Sequence, residues 1–157
     1  MAVDINKLSR GEQIIGVSGI VLFIFSFFKW YGVDIGGGKV GGVDIPGFSA
    51  SANGWDTTLG LFAAIIALIM VAQIAATKFG GVKMPDLGSI TWGQVHLGLG
   101  GLALLCMVIR LIDAGDGVGR KFGLFVSFVA AIGLAAGGYL KFQEEKSGGS
   151  APTPPAA

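Results

Sequence analysis

Charge is scarce in this 157-residue chain, since only 13% of its residues are charged and 52% are hydrophobic. Soluble domains carry about 25% charged residues, so the composition argues against a water-soluble fold. The net charge of +1 gives no strongly basic surface of the kind that binds nucleic acid, and we expect no nucleic-acid partner.

Cysteine and histidine are almost absent, with one residue of each. The lone cysteine, Cys106, cannot form an internal disulfide or a dithiol relay, which excludes the membrane redox enzymes that need paired thiols. The lone histidine, His96, cannot provide two axial imidazoles to a haem, and no His/Cys/Asp/Glu cluster surrounds it in the sequence as zinc catalysis requires. We therefore predict no cofactor, no bound metal and no enzymatic activity.

Long uncharged stretches fill most of the chain, and each approaches the ~20 apolar residues that a helix needs to cross a bilayer. The predicted spans cover residues 12–31, 57–77, 90–110 and 122–140. These stretches predict an all-α membrane protein, a four-transmembrane-helix bundle that occupies residues 1–146. The Gly-, Ser-, Pro- and Ala-rich residues 147–157 are predicted to be a disordered tail.

The first connection, the outer loop at residues 32–55, contains Gly-Val-Asp-Ile twice, at 32–35 and 42–45. Val and Ile alternating with other residues favour strands, and the glycines between the repeats permit a turn. The repeats predict a short extracytoplasmic β-hairpin over the mouth of the bundle. Asp34, Asp44 and Asp56 are hard oxygen ligands, but their spacing matches no calcium loop, and we interpret them as solvated turn residues.

Two of the predicted spans begin with a capping box. Ser9 and Glu12 form the first, and Thr91 and Gln94 form the second. A carboxylate near a membrane span is a functional candidate, but the capping box gives Glu12 a structural role at headgroup depth.

His96 lies a few residues into the third predicted span. We predict that its ring binds a backbone carbonyl group or a polar side chain, with Gln94, Gln73 and Glu12 as the candidates. The alternative is a proton relay between His96 and Glu12. No nucleophile motif accompanies this histidine.

Aromatic and small residues have predicted roles at the ends and faces of the spans. Four aromatic residues are predicted to anchor the protein at the membrane interfaces: Trp30, Tyr31, Trp55 and Trp92. Four glycines are predicted to allow close helix packing: Gly98, Gly101, Gly133 and Gly137.

Three segments carry a resemblance to a known group of proteins: Ser9-Arg10-Gly11-Glu12, Phe27-Phe28-Lys29-Trp30-Tyr31-Gly32, and the loop end Ser49-Ala50-Ser51-Ala52-Asn53-Gly54-Trp55. With these segments the chain resembles a set of uncharacterised small four-helix (tetraspan) integral membrane proteins of actinobacteria and related bacteria. A Pro-Trp-Tyr commonly stands in that set where this chain has Lys29-Trp30-Tyr31. The resemblance covers about the first seventy residues and implies no activity and no site.

Lys and Arg residues favour one orientation weakly. With both termini in the cytoplasm, six basic residues lie inside: Lys7, Arg10, Lys78, Lys83, Lys141 and Lys146. We expect a multi-pass protein of the bacterial cytoplasmic membrane, in contact with the lipid bilayer and with a membrane-protein partner or further copies of itself. The predicted function is that of a non-catalytic accessory or scaffold protein, or of a self-associating envelope component. The alternative is a small oligomeric transporter or channel that uses Glu12 and His96.

Overall fold

A computed structural model of the chain describes residues 5–147. Its helices are α1 (Arg10–Phe25), α2 (Thr58–Lys78), α3 (Trp92–Ile112) and α4 (Phe122–Ser147). Its strands are β1 (Lys29–Ile35), β2 (Gly38–Val40), β3 (Val43–Ile45), β4 (Phe48–Asn53) and β5 (Gly119–Arg120). Single 3-10 turns at Ile5–Lys7 and Gly54–Asp56 precede α1 and α2.

The helices form a ring in chain order. α4 packs most extensively on α3 and on α1, and α2 fills the opposite side between α1 and α3. Small side chains let the helices approach closely, and larger ones fill the space between them. The buried core includes Ile15, Leu22, Ala63, Ala67, Met70, Ala103, Met107, Ala131 and Leu134.

Three of the four helices, α2, α3 and α4, are long and apolar enough to cross a membrane. Helix α1 has 16 residues, about 24 Å of helix, against ~30 Å of hydrocarbon. The predicted span at 12–31 is therefore wrong, and so is the four-transmembrane-helix bundle. The helix ends early because the chain turns after Phe25, and the β-prone residues from Lys29 onward pair with β4.

The all-α class is also wrong, because residues 29–53 fold as a long antiparallel hairpin. β1 pairs with β4 and β2 pairs with β3. The register shifts once, between Lys29 and Tyr31, and is then the same from Tyr31 to the end of the hairpin, where Val40 lies opposite Val43. Gly41 and Gly42, with φ of 60° and 85°, provide the positive φ angles of a two-residue hairpin turn.

The strand pairing differs from the predicted short hairpin. The sequence repeat suggested that 32–35 would pair with 42–45, but Ile35 lies opposite Phe48, and 43–45 pairs with β2. The turn is set by Gly41-Gly42 and not by the centre of the repeat. Residues 34–49, which we call the arm, are all exposed.

Strand β5 holds the base of the hairpin to the bundle by pairing with Tyr31 and Gly32. The Arg120 guanidinium donates to the carbonyl oxygens of Leu111, at 2.6 Å, and Ile112, at 3.2 Å, and thus satisfies the end of α3. The neighbouring Lys121 forms an ion pair with Asp34 at 3.1 Å.

Trp30 closes the bundle beneath the hairpin. Its side chain is completely buried, and its indole Nε1 donates to the carbonyl oxygen of Phe25 at 2.9 Å. Gly54 and Gly123 leave room for the ring, since a Cβ at these positions would lie 2.8 Å and 3.0 Å from ring atoms. Trp30 therefore packs inside the protein and does not have the position of the predicted interface anchor.

The other predicted spans agree closely with helices. α2 and α3 begin and end within two residues of the predicted 57–77 and 90–110, and α4 begins at the predicted residue 122. α4 continues beyond the predicted residue 140 to Ser147. The rest of the predicted tail, residues 148–157, lies outside the described residues.

The packing glycines differ in part from those predicted. Gly137 packs against α1, where a Cβ would lie 2.7 Å from the Ile15 side chain, and Gly133 meets Ser18 on the same helix. Gly98 and Gly101 face away from the other helices, since a Cβ at either would meet nothing within 4 Å. Gly93 and Gly100 are the α3 glycines that lie against the backbone of α4, where a Cβ would be 2.7 Å from Phe142 Cα and 2.6 Å from the Leu134 carbonyl oxygen.

We expect Gly100→Ala to lower the free energy of unfolding by about 1–3 kcal/mol, because the added Cβ would lie 2.6 Å from the backbone carbonyl oxygen of Leu134. Gly98→Ala is the matched control on the same helix, and helix propensity alone favours it by up to about 1 kcal/mol. Unfolding in mixed micelles, followed by circular dichroism, measures both. Equal loss of stability in the two variants would contradict this packing.

Candidate functional site

The largest group of interacting charges lies where α1 and α3 begin and α2 and α4 end. Glu12, in the first turn of α1, is only 4% exposed. Lys141 on α4 donates to its Oε1 at 3.0 Å, and Lys78, in the last turn of α2, lies 3.4 Å from its Oε2. The same Oε2 accepts the amide of Ser9 at 3.0 Å, which confirms the predicted capping box. Glu12 thus joins three helices.

Two further carboxylates at the end of α4 bind the first turns of its neighbours. Glu144 Oε1 accepts the amide of Gly11 at 3.2 Å, and Glu145 Oε2 accepts the amide of Gly93 at 2.6 Å. The first amides of a helix have no partner within it and carry partial positive charge. α4 therefore caps both α1 and α3. We call Glu12, Lys78, Lys141, Glu144 and Glu145 the end cluster.

The charge state of Glu12 follows from these contacts. Burial by itself raises the pKa of the Glu12 carboxyl, but the Ser9 amide and the ammonium groups of Lys141 and Lys78 outweigh burial. The pKa therefore lies below its ordinary value, and the carboxylate is ionised at neutral pH. Each of its oxygens is engaged, which leaves Glu12 as a structural anion.

A cavity of about 260 Å³ opens between Ser9 and the end cluster. Glu144 Oε2 is buried and has no hydrogen-bond partner within residues 5–147. Three carboxylates and two ammonium groups line the cavity, so the end cluster neutralises most of its own charge.

His96 is the second polar group buried near this end, at 1% exposure. Its Nδ1 lies 2.8 Å from the carbonyl oxygen of Trp92, which confirms a backbone carbonyl partner. Because a carbonyl oxygen only accepts, Nδ1 carries the proton, and Nε2 of the neutral ring is an acceptor. Nε2 is buried, and no described residue forms a hydrogen bond with it.

The other predicted polar residues do not join this group. Gln94 is exposed and completes the predicted capping box, with its Oε1 accepting the amide of Thr91 at 3.0 Å. Gln73 is half-buried on α2. Among residues 5–147, no group of three His, Cys, Asp or Glu side chains comes together as a metal site.

The other three predicted interface anchors form hydrogen bonds at the ends of the bundle. Tyr31 is buried, its hydroxyl donates to the carbonyl oxygen of Arg110, and the Arg110 guanidinium lies 4.8 Å from its ring centre. Trp55 donates to the Ser26 hydroxyl at 2.9 Å. Trp92, at the opposite end, donates to the carbonyl oxygen of Pro85 at 3.1 Å.

The arm has a large apolar surface outside the helices. Five apolar side chains are between 51% and 67% exposed there: Ile35, Val40, Val43, Ile45 and Phe48. Exposed apolar side chains on α2, α3 and α4 suit a lipid environment, whereas β2 and β3 of the arm pack mainly against each other. Contiguous apolar patches outside a membrane commonly mark interaction sites.

Comparison of the chain with protein-family models, with curated proteins and with solved structures finds no match. The resemblance to small tetraspan membrane proteins stays a prediction.

Sequence reasoning identified Glu12 and its capping partner Ser9 but missed the two lysines that engage its carboxylate. In the sequence, the only role predicted for Lys78 and Lys141 is to set the orientation. The last predicted span, 122–140, ends before Glu144 and Glu145. A helix extended past residue 140 would have placed Glu144 and Glu145 three and four residues after Lys141, on the same face.

We expect Glu12→Gln to lower the free energy of unfolding by about 3 kcal/mol, because it leaves a buried ammonium group without its counter-ion. The Lys141 side chain is only 12% exposed. Adding Lys141→Met to Glu12→Gln removes that charge and recovers most of the loss. Asp86→Asn, at an exposed residue in the α2–α3 connection, is the control and leaves stability unchanged. Failure of the double variant to recover would contradict the role of the ion pair.

The lowered pKa of Glu12 also fixes the pH dependence of stability. A carboxyl whose pKa is lower in the folded than in the unfolded protein stabilises the fold fully above its ordinary value of 4.5. This contribution is lost as the pH falls through the folded pKa. We therefore expect the stability of the wild type to fall more steeply below pH 4.5 than that of Glu12→Gln. Unfolding curves measured across this range test it, and parallel declines would contradict it.

Proposed function

We propose that this chain is a non-catalytic, multi-pass protein of a bacterial cytoplasmic membrane that assembles with a protein partner through its arm. The observation that carries the proposal is the exposed apolar surface of the arm, formed by residues from Ile35 to Phe48. A two-stranded hairpin alone is marginally stable in water, and β2 and β3 pack mainly against each other. A partner that covers the apolar side chains would stabilise the arm.

The end cluster supports a structural rather than catalytic role for the polar residues. Both oxygens of Glu12 are engaged by Ser9, Lys78 and Lys141, so none remains to act on a substrate. Glu144 and Glu145 each satisfy the first turn of a neighbouring helix. Groups held in this way fix helix positions.

The basic residues support an orientation with the end cluster in the cytoplasm. Lys78 and Lys141 lie at this end, and the amide contact from Gly11 to Glu144 places the start of α1 and the end of α4 together. At the other end Arg120 and Lys121 have structural partners in α3 and β1. The arm then faces away from the cytoplasm.

The alternative is a small oligomeric transporter or channel that uses Glu12 and His96. One observation favours it: among the described residues, Nε2 of His96 is a buried acceptor without a partner. A proton arriving at this nitrogen would convert the neutral ring into a cation.

Purification in mild detergent, with mass measured by light scattering and mass spectrometry, tests the proposal. We expect a stoichiometric complex, either with a second protein or between copies, and its dissociation when Val40, Val43 and Ile45 are replaced by serine. The control variant replaces Val17, Ile20 and Ile24, exposed on α1, by alanine. A monomer without partner would contradict the proposal, and proton flux into vesicles that is lost in His96→Gln would favour the alternative.

A further inference from the structure

The outer end of the arm, β2 with β3, has two unlike faces. Residues directly opposite in an antiparallel pair project to the same face, and successive residues alternate. Gly38 lies opposite Ile45, and Val40 opposite Val43, so these four residues share one face. Lys39 lies opposite Asp44 on the other face, where their side chains form an ion pair at 3.8 Å.

The apolar face carries a projection and a depression side by side. Ile45 is 51% exposed on β3, while a Cβ at Gly38 on β2 would meet no atom of the described part of the chain within 4 Å. The two positions are at the same height along the arm because they are register partners. Val40 and Val43, at 67% and 66% exposure, extend the apolar face toward the turn.

This shape is complementary to itself. A two-fold axis that runs parallel to the strands, just outside the apolar face, brings β2 of one copy opposite β3 of the other at equal height. Each Ile45 then lies over the partner's Gly38, and each Val40 over the partner's Val43. Two-fold contacts of this kind use the same patch on both subunits.

The charges of the arm also favour a second copy over other occupants. Lys39 and Asp44 neutralise each other within one hairpin, so the tip offers no net charge to attract a charged partner or the anionic headgroups that recruit basic segments. An apolar lipid surface would cover Ile45, but it has no fixed projection that fits the depression at Gly38. A second copy, rotated about the two-fold axis, presents its own projection to the depression and its own depression to the projection.

We propose that two copies of this chain associate face to face through β2 and β3, with Ile45 of each copy seated on the partner's Gly38. This inference rests on the proposed function and names the partner of the arm. A face of four residues on each copy is small beside the ~1,200 Å² that a stable interface in water buries. Two copies in one membrane are held at a high effective concentration, which offsets the small area.

The test exchanges the projection and the depression in the full-length protein. Donor- and acceptor-labelled copies are mixed in lipid vesicles, and energy transfer is measured as a function of the protein-to-lipid ratio. We expect Gly38→Ile, which fills the depression, and Ile45→Gly, which removes the projection, each to weaken association by at least about tenfold, since both symmetric contacts are lost. The double variant Gly38→Ile/Ile45→Gly restores the shape on opposite strands and recovers association.

Two controls separate this contact from general effects. Lys39→Ile/Asp44→Asn places the same side chain on the opposite face of β2, removes both charges of the ion pair, and leaves association unchanged. Gly38 does not have a positive φ, so its replacement causes no backbone strain, and circular dichroism verifies that each variant folds.

Three results would overturn self-pairing: no energy transfer in the wild type, single variants that associate like the wild type, or a folded double variant that does not recover. A stoichiometric complex with a different protein through the arm would also overturn self-pairing, while it would support the proposed function. A monomer without any partner would contradict both.

Discussion

The shared ion pair of Glu12 with Lys78 and Lys141 is the interaction on which the helix arrangement depends. Apolar helix surfaces in lipid specify weakly which helix faces pack together, because lipid tails are as apolar as the side chains that pack. Charged groups at the helix ends provide that direction, since a buried carboxylate has a low free energy only where its counter-ions lie. Glu12 therefore fixes α1 relative to the ends of α2 and α4.

The carboxylates at the end of α4 extend the same principle to helix termini. Glu144 and Glu145 satisfy amides of α1 and α3 that have no carbonyl partner within those helices. α4 is the longest helix and packs most extensively on both of these neighbours. Its length beyond the apolar segment is what carries the two carboxylates to the neighbouring helix starts.

The opposite end is built from aromatic packing and strand pairing. Trp30 fills the space beneath the hairpin, and Tyr31 stacks under Arg110 while it binds the end of α3. β5 and Arg120 connect that hairpin to the α3–α4 connection. These contacts hold the base of the hairpin and leave the arm beyond Val33 exposed. The two ends thus divide their roles: one fixes the helices, and the other presents a surface.

Features that depend on neighbouring residues could be predicted from the amino-acid order. The positions of α2 and α3, the start of α4, and the capping boxes at Ser9 and Thr91 follow from local hydropathy and from side chains three residues apart. Three features depend on tertiary contacts: the length of α1, the register of the hairpin, and the contact that Gly100 makes in place of Gly98. Each of these depends on contacts that hydropathy does not encode. The chain leaves the helix before β1 because β1 pairs with β4, and the positive φ angles of Gly41 and Gly42 place the turn of the hairpin. Gly100 contacts α4 because its side of α3 lies against the α4 backbone. The partners of Glu12 belong to the same class, because Lys141 lies 129 residues away along the chain and only the packed ring of helices brings it within reach.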